Sequence, residues 1–590
     1  MIRLASTTDT PSIARPQAGS TEAARVSGGP VAHRARRLKS FLATEAGTPW
    51  LAGAVLIAAG VLAPLATLLW YASQGSFDHW RHLLDHVLPL AFLNTSLLLA
   101  GVAVLVTALG VGAAWLITAY RFPGRSILSW ALLLPLAVPT YIVAFAYLDI
   151  LHPIGPVQSF IREMLGYSSP REFRLPDLRS LPGAIVLLGF VLYPYVYLST
   201  RIMFTTQAAS LLEAARILGE SGRGVFLRVA LPMARPAIAV GVSLALLEAL
   251  NDIGASEFLG VQTLTVSVYT TWVTRNDLAG AAQIALAMLA MVALLVMLER
   301  RGRKRQRYAS NLRARPVQPR QLHGLHAAGA AALGWAPVVI GFVAPALYLC
   351  SETIKHLTLA GSVSDQLLAS AFNTLKVALL ATFFTLLCGL VAAWASRSVR
   401  HSDRPTLARA CARIATSGYA IPGTVLAIGL LTPLIAFDGL LSTIWSRMTG
   451  ADPGLWLMGS VGALVCGYVI RFLAISVGGM ESGLARIPPS LEQAARLLGE
   501  TPAGTLRRIH LPLLRPAIGA AGLLVFVDAM KELPATLLLR PAGFETLATW
   551  LYAEAARGTY EEGAVAALAI VLAGLLPVVL LARTQLKPAY

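Results

Sequence analysis

The chain has 590 residues, of which 56% are hydrophobic and 13% charged, with a formal net charge of +18. A water-soluble domain carries roughly 25% charged residues, so this composition excludes a soluble fold and points to a polytopic membrane protein. The basic residues sit in short, separate loops rather than on one continuous face, which excludes a nucleic-acid surface.

Residues 1–48 are rich in Arg, Ala, Ser, Thr and Pro, with no apolar segment before Trp50. They read as a disordered basic cytoplasmic tail, since a secretory signal would place its apolar core earlier. Six apolar windows follow, near Trp50–Ala72, Ala91–Tyr120, Leu128–Leu151, Ala184–Met203, Pro236–Gly254 and Ala279–Leu298. Each matches the ~18 or more residues needed to cross a hydrocarbon core of ~30 Å.

Before the second window, FDHWRHLLDH places His79, His82 and His86 at helical spacing. Metal ligands can be spaced this way; the plainer reading is an interfacial amphipathic helix anchored by Trp80. The loop from His152 to Pro182 mixes Arg162, Glu163, Arg171, Glu172, Asp177 and Arg179. It is a candidate contact for a partner on the outer side.

Between the fourth and fifth windows lies LLEAARILGESGRGVFLRVALPMARPAI, residues 211–238. Its Ala-rich start favours a short helix, and Gly219 supplies the freedom to end it. A second short helix is expected to run toward Leu231. Pro232 and Pro236 are expected to break and restart the chain, Pro236 in the first turn of the next span.

Within the fifth window Glu248 and Asp252 are four apart, on one helical face. Counted from Pro236 at ~1.5 Å per residue, Glu248 lies roughly 18 Å into the bilayer. Ionisable groups at such depth usually face a bundle interior or a water-filled path. Gly254 follows and can bend the helix there. The basic, proline-punctuated stretch over residues 300–330 reads as a cytoplasmic linker.

The second half repeats the first. Its windows lie near Leu333–Ser351, Phe372–Ala395, Ala412–Ala436, Gly459–Val477, Pro516–Ala535 and Ala564–Leu581. The stretch LEQAARLLGETPAGTLRRIHLPLLRPAI, residues 491–518, aligns with 211–238 without a gap at an offset of roughly 280. Asn373-Thr374 echoes Asn94-Thr95, and Pro422 echoes Pro139. Asp528 and Glu532 fall where Glu248 and Asp252 stand, with Lys531 beside them and Pro534 after. Six windows per half give both halves one orientation, a parallel repeat. Basic residues cluster in alternate loops, which marks those loops and both termini as cytoplasmic. The expected organisation is a first six-helix domain over 49–299 and a second over 331–590. Cys350, Cys388, Cys411 and Cys466 show no spacing for a disulfide framework or a zinc site.

The two repeated loops resemble the EAA motif of ABC-importer permeases, E-A-A-x3-G, nine residues, then I-x-L-P. The first copy matches at Glu213, Ala214, Ala215, Gly219, Leu231 and Pro232, with Val229 for Ile. The second matches at Ala494, Ala495, Gly499, Ile509, Leu511 and Pro512, but carries Gln493 for Glu, with Glu492 one residue earlier. The resemblance implies an all-α fold of about twelve membrane helices, the type I importer permease fold, in a bacterial inner membrane. It implies that each loop docks on an ATP-binding subunit and that an external binding protein delivers the solute. The chain holds no G-x-x-x-x-G-K-[ST] phosphate loop. ATP-Mg would therefore be bound by two copies of a separate ATPase, with no cofactor on this chain.

DAMKELPATLLLRP (528–541) and EALNDIGASEFLG (248–260) resemble the fused permeases of ferric-iron importers, with the thiamine permeases as the alternative. On that resemblance the binding protein is a periplasmic ferric-binding protein. The residues themselves are compatible: Glu248, Asp252, Asp528 and Glu532 offer oxygen ligands to a hard cation. Internal pairing through Lys531 is the competing reading. A reading from another class is an ion-coupled secondary transporter using the same carboxylates, which leaves the duplicated loops without a purpose. No residue set placed for enzymatic chemistry is found.

Overall fold

The computed structural model describes residues 30–74, 80–81, 83–206, 209–303, 319–398, 405–451 and 454–585. The first helix, α1, runs Pro30–Gln74. The stretch 30–48, expected as unstructured, is therefore helical, because its Ala, Arg, Leu, Lys and Glu are good helix formers. Residues 1–29 lie outside the described residues.

The rest of the first half comprises α2 (Leu88–Ala119), β1 (Tyr120–Arg121), α3 (Arg125–Ala131), α4 (Thr140–Ile150), α5 (Pro156–Leu165) and α6 (Leu181–Thr206). There follow α7 (Ala209–Ile217), α8 (Leu231–Asn251), α9 (Gly254–Phe258), α10 (Leu264–Tyr269) and α11 (Leu278–Arg303). The second half has β2 (Arg320–Gln321), α12 (Gly324–Val338), α13 (Ala344–Ala360), α14 (Asp365–Ser398), α15 (Pro405–Ser417), α16 (Gly423–Thr449) and α17 (Val461–Ala485). It ends with α18 (Pro489–Leu497), α19 (Leu511–Met530), α20 (Pro534–Leu539), α21 (Leu547–Arg557) and α22 (Tyr560–Gln585).

Among the described residues eleven helices are long and apolar enough to cross a bilayer. The expected straight span Leu128–Leu151 is a bent pair, Arg125–Ala137 and Thr140–Ile150, meeting at 93°, and brings the number to twelve if taken as one crossing. The bend falls at Pro139, which caps α4 with an extended backbone. The window Ala412–Ala436 breaks in the same way at Pro422 before α16. Proline has no N–H to donate and disfavours a helical residue before it, so each of these prolines starts a helix.

The first helix of each half packs across onto the other half. α1 lies against α14, α15 and α16 as well as α11, while α12 lies against α2 and α3, α13 against α4 and α22, and the turn Val339–Val343 between them against α6. Small residues permit the crossing: a Cβ on Gly429 of α16 would stand 2.4 Å from Pro64 O, and one on Gly341 would stand 2.3 Å from Phe190 O. The linker returns through a two-residue parallel bridge, Tyr120 opposite Arg320.

The Asn-Thr echo has a structural role in both halves. Asn94 Nδ2 donates to Gln262 O at 3.2 Å, and Thr95 Oγ1 accepts from Leu264 N–H at 2.9 Å. Asn373 Nδ2 donates to Glu545 O at 3.0 Å, and Thr374 Oγ1 accepts from Leu547 N–H at 2.8 Å. Each pair satisfies a backbone carbonyl and an N-terminal N–H where α10 or α21 begins, groups that have no intrahelical partner.

Candidate functional site

The two repeated loops fold alike. α7 and α18 each end in a left-handed glycine, Gly219 at φ 88° and Gly499 at φ 84°. Glu220 N–H donates to Ala215 O and Gly219 N–H to Arg216 O, both at 3.0 Å; Glu500 and Gly499 repeat this to Ala495 O and Arg496 O at 3.0 and 3.1 Å. This paired closure requires positive φ, which glycine adopts without steric cost. Ser221 and Thr501 then cap the following turn, accepting from Gly224 N–H at 3.2 Å and Gly504 N–H at 3.1 Å. Glu220 pairs with Arg228, and Glu500 with Arg508, across each turn.

The expected second short helix is not separate. Gly222–Asn251 and Pro502–Met530 are each one continuous span, with Pro232, Pro236, Pro512 and Pro516 inside. A widened π turn precedes Pro232 and Pro512, where Leu231 N–H reaches Phe226 O and Leu511 N–H reaches Leu506 O. The extra residue in that turn accommodates a ring that would otherwise crowd the preceding carbonyls. The loop is thus a short helix braced on a rigid extension of the next span.

Glu213, Ala214, Gln493 and Ala494 point outward, Ala215 and Ala495 are buried, and Leu231 and Leu511 are half-buried. Glu492 does not stand in for the missing motif glutamate, because it faces inward. It pairs with Arg397, and His510 Nε2 lies 3.1 Å away. Burial alone would push the Glu492 carboxyl up, but hydrogen bonds from His510 and Arg397 outweigh it and hold it down at about 2. Arg397 Nη2 also donates to Ile487 O at 2.8 Å. In the first loop Leu212 takes the corresponding place, buried, and Trp115 packs on Phe204 and Phe226 at 5.4 and 5.1 Å between ring centroids. The two loops therefore share a shape and differ in anchoring. Sequence reasoning missed a further shared feature: Ile217, Leu218, Leu497 and Leu498, just before the glycines, are 84–89% exposed.

The second cluster lies where the halves meet. α8 stops at Asn251 and α9 starts at Gly254, while α19 stops at Met530 and α20 starts at Pro534. Both fifth spans thus break beside the expected carboxylates. The breaks bring Glu248, Asp252, Asp528, Lys531 and Glu532 together around a cavity of ≈ 100 Å³, with Asn251, Tyr195, Tyr419 and Arg471. Lys531 Nζ meets Asp528 Oδ1 at 2.9 Å. Arg471 Nε meets Glu532 Oε2 at 3.0 Å. Tyr419 of the second half donates to Glu248 Oε1 of the first at 2.7 Å. Tyr141 of the first half returns a contact to Lys531 O at 3.4 Å.

The two inner acids also cap the chain. Asp252 Oδ1 accepts from Ala255 N–H at 3.1 Å, and Glu532 Oε1 from Ala535 N–H at 3.2 Å. The proline bends serve the same pair. Thr140, opening α4, flanks Asp252, and a Cβ on Gly423, opening α16, would lie 3.0 Å from Glu532 Oε1. Each carboxylate thus faces the positive end of a helix. Arg471 was detectable in the sequence as a lone Arg inside an apolar window, but Tyr419 and Tyr195 carried no such signal.

His79 and His82 lie outside the described residues, and among the described residues no group of three His, Cys, Asp or Glu is placed to hold a metal. The outer loop is organised by its own bonds: Arg162 Nη1 donates to Pro153 O at 2.8 Å, and Glu172 accepts from Ser168 N–H at 2.9 Å. It borders a cavity of ≈ 360 Å³ lined in part by Asp149, Arg174, Arg179 and Tyr560. The four cysteines are free.

Comparison with known proteins gives two matches to one family, binding-protein-dependent transport system inner membrane component, over residues 106–308 and 386–589. The chain is 25% identical to an Fe(3+)-transport system permease protein of Haemophilus influenzae, over 84% of this chain and 90% of that one. It is 31% identical to a putative 2-aminoethylphosphonate transport system permease protein of Salmonella typhimurium, over 37% of this chain and 74% of that one. A sulfate transport system permease protein of Escherichia coli is 28% identical over 34% of this chain and 69% of its own.

Proposed function

We propose, from the premise that this chain belongs to the family of binding-protein-dependent transport system inner membrane components, that it is the fused permease of a ferric-iron importer. In this reading it sits in a bacterial inner membrane with both termini cytoplasmic. A periplasmic ferric-binding protein delivers the ion, and two copies of a separate ATPase bind ATP-Mg and drive transport. The chain itself moves solute and catalyses no covalent step.

The observation that carries the coupling role is the paired loop geometry. Two equivalent helices each present an exposed aliphatic pair, Ile217-Leu218 and Leu497-Leu498, beside a left-handed glycine. Exposed apolar groups of this kind mark a protein contact, and their duplication fits a two-fold motor. Because each loop is continuous with α8 or α19, a push on it is transmitted to Glu248 and Asp252 or to Asp528 and Glu532 at the far end. The break beside those residues is where the halves meet through Tyr419 and Tyr141. Parting the halves would open the cavity by alternating access.

Iron as the solute is supported by the relative named for Fe(3+) transport, which the chain matches over most of its length, and by four carboxylates around the cavity, since a hard cation prefers oxygen ligands. An oxyanion is the second reading, favoured by Arg471, whose Nη1 has no hydrogen-bond partner among the described residues, and by the relatives named for phosphonate and sulfate. Uptake into proteoliposomes holding the chain, its ATPase and its binding protein tests these readings. ATP-dependent entry of labelled ferric iron, unaffected by thiamine, sulfate or 2-aminoethylphosphonate, is expected. Entry of one of the competitors without iron would overturn the solute, and iron entry that follows a proton gradient and ignores ATP would overturn the coupling.

A further inference from the structure

The two halves differ in how they balance charge at the cavity. The sequences align as Glu248-Ala-Leu-Asn251-Asp252 against Asp528-Ala-Met-Lys531-Glu532. In the second half both acids have a built-in cation, Lys531 on Asp528 at 2.9 Å and Arg471 on Glu532 at 3.0 Å. In the first half the place of Lys531 is taken by Asn251, which carries no charge. Glu248 has a phenolic hydroxyl from Tyr419 as its partner. Four carboxylates thus face two cations around one cavity, and both cations are engaged on the second-half side.

The unmet demand is visible atom by atom. Asp252 is 8% exposed, and its Oδ2 has no hydrogen-bond partner among the described residues, although Oδ1 is used to cap α9. Asn251 Oδ1, also buried, has none either. Buried acceptors without a donor are costly, and a buried carboxylate without a counter-charge is costlier. Both residues line the ≈ 100 Å³ cavity, large enough for one ion with two or three waters at about 30 Å³ each. The site stands between the carboxyl end of α8, which favours a cation, and the amino ends of α4 and α9, which favour the Asp252 carboxylate that would hold it.

We infer that Glu248, Asn251 and Asp252 form a binding site for a hard, oxygen-seeking metal cation, placed where Lys531 supplies its own charge in the other half. The pseudo-symmetry makes the assignment specific: the lysine ammonium in the second half marks the place an external cation takes in the first. The site follows from local charge balance. Only its identification with the transported ion rests on the iron reading above.

The test uses the purified full chain in detergent and terbium(III) as a hard trivalent probe, whose emission is sensitised by nearby tyrosines such as Tyr195 and Tyr419. Saturable emission with one ion per chain is expected. It should be lost in Asn251→Lys, which installs the second half's cation without removing a carboxylate, and should persist with tighter binding in Lys531→Asn, which removes a competing cation from the same cavity. Displacement of terbium by ferric nitrilotriacetate, but not by millimolar sodium or calcium, identifies the site with the cargo; displacement by sodium or calcium instead identifies a resident ion. Absence of saturable emission from the wild-type chain, or emission unchanged in a folded Asn251→Lys variant, would overturn the proposal. Uptake of another solute by the wild-type transporter, with terbium binding intact, would overturn the iron reading alone.

Discussion

Arg471 and Glu532 form a buried ion pair whose removal can be reasoned through. The two side chains are 8% and 6% exposed and meet once, Nε to Oε2 at 3.0 Å. Arg471→Met keeps most of the volume and removes the charge, leaving Glu532 buried at a cavity that already holds three other carboxylates. Breaking a buried pair from one side costs about 3–5 kcal/mol, whereas replacing both partners by neutral groups is often close to neutral. The double variant Arg471→Met/Glu532→Gln should therefore lie within about 1 kcal/mol of wild type. Its glutamine oxygen can still accept from Ala535 N–H and keep α20 capped. The double variant should thus recover about 2–4 kcal/mol relative to Arg471→Met alone. Equilibrium unfolding in mixed detergent–SDS micelles, followed by tryptophan fluorescence, reads it directly. A single variant as stable as wild type, or a double variant no better than the single, would refute the argument that this pair is a mutually dependent buried charge pair.

Three further outcomes follow from the geometry. The Glu492 carboxyl is held down at about 2 from its ordinary 4.5, so its stabilisation is fully present above the ordinary value and lost as pH falls toward 2. Glu492→Gln should cost about 3 kcal/mol at neutral pH, and the gap to wild type should close progressively below about pH 4.5; a gap constant down to pH 2.5 would contradict the anchoring. Gly219→Ala and Gly499→Ala place a side chain at positive φ where no atom lies within 4 Å, so the cost is backbone strain alone, about 1–2 kcal/mol. Both should insert normally and lower permease-stimulated ATPase activity, and full stimulation in the double variant would argue against the coupling role. Gly429→Ala should destabilise by about 1–3 kcal/mol through the collision with Pro64 O, while Gly439→Ala on the same helix, with nothing within 4 Å, should be neutral or mildly stabilising; thermal unfolding in detergent separates them.

The membrane class, the duplication and the fold of the loops up to their glycines were legible in the sequence because each rests on a local quantity. Apolar length sets the spans, and the Ala-rich helix closed at Gly219 or Gly499 needs only its own backbone bonds. The prolines misled where a neighbouring turn could absorb them: Pro232 and Pro512 sit inside continuous helices because a π turn precedes each. Pro139 and Pro422, with no such turn, do break the chain. The motif departure at Gln493 could not be resolved in one dimension. Only packing shows that Glu492 turns inward to Arg397 and His510, since neighbouring helix residues face different sides.

The sequence by itself determined that this is a twice-repeated helical membrane protein of the binding-protein-dependent kind, with carboxylates deep in each fifth span. It did so because hydrophobic length, helix-ending glycines and repeated motifs are written residue by residue. Tertiary structure alone decided which carboxylates have partners. The first helix of each half crosses to the other, Tyr419 reaches Glu248, and Arg471 reaches Glu532 from a different span. Partners drawn from separate helices leave no mark of their pairing in sequence spacing, and the unpartnered oxygen of Asp252 becomes evident only once every neighbour is in place.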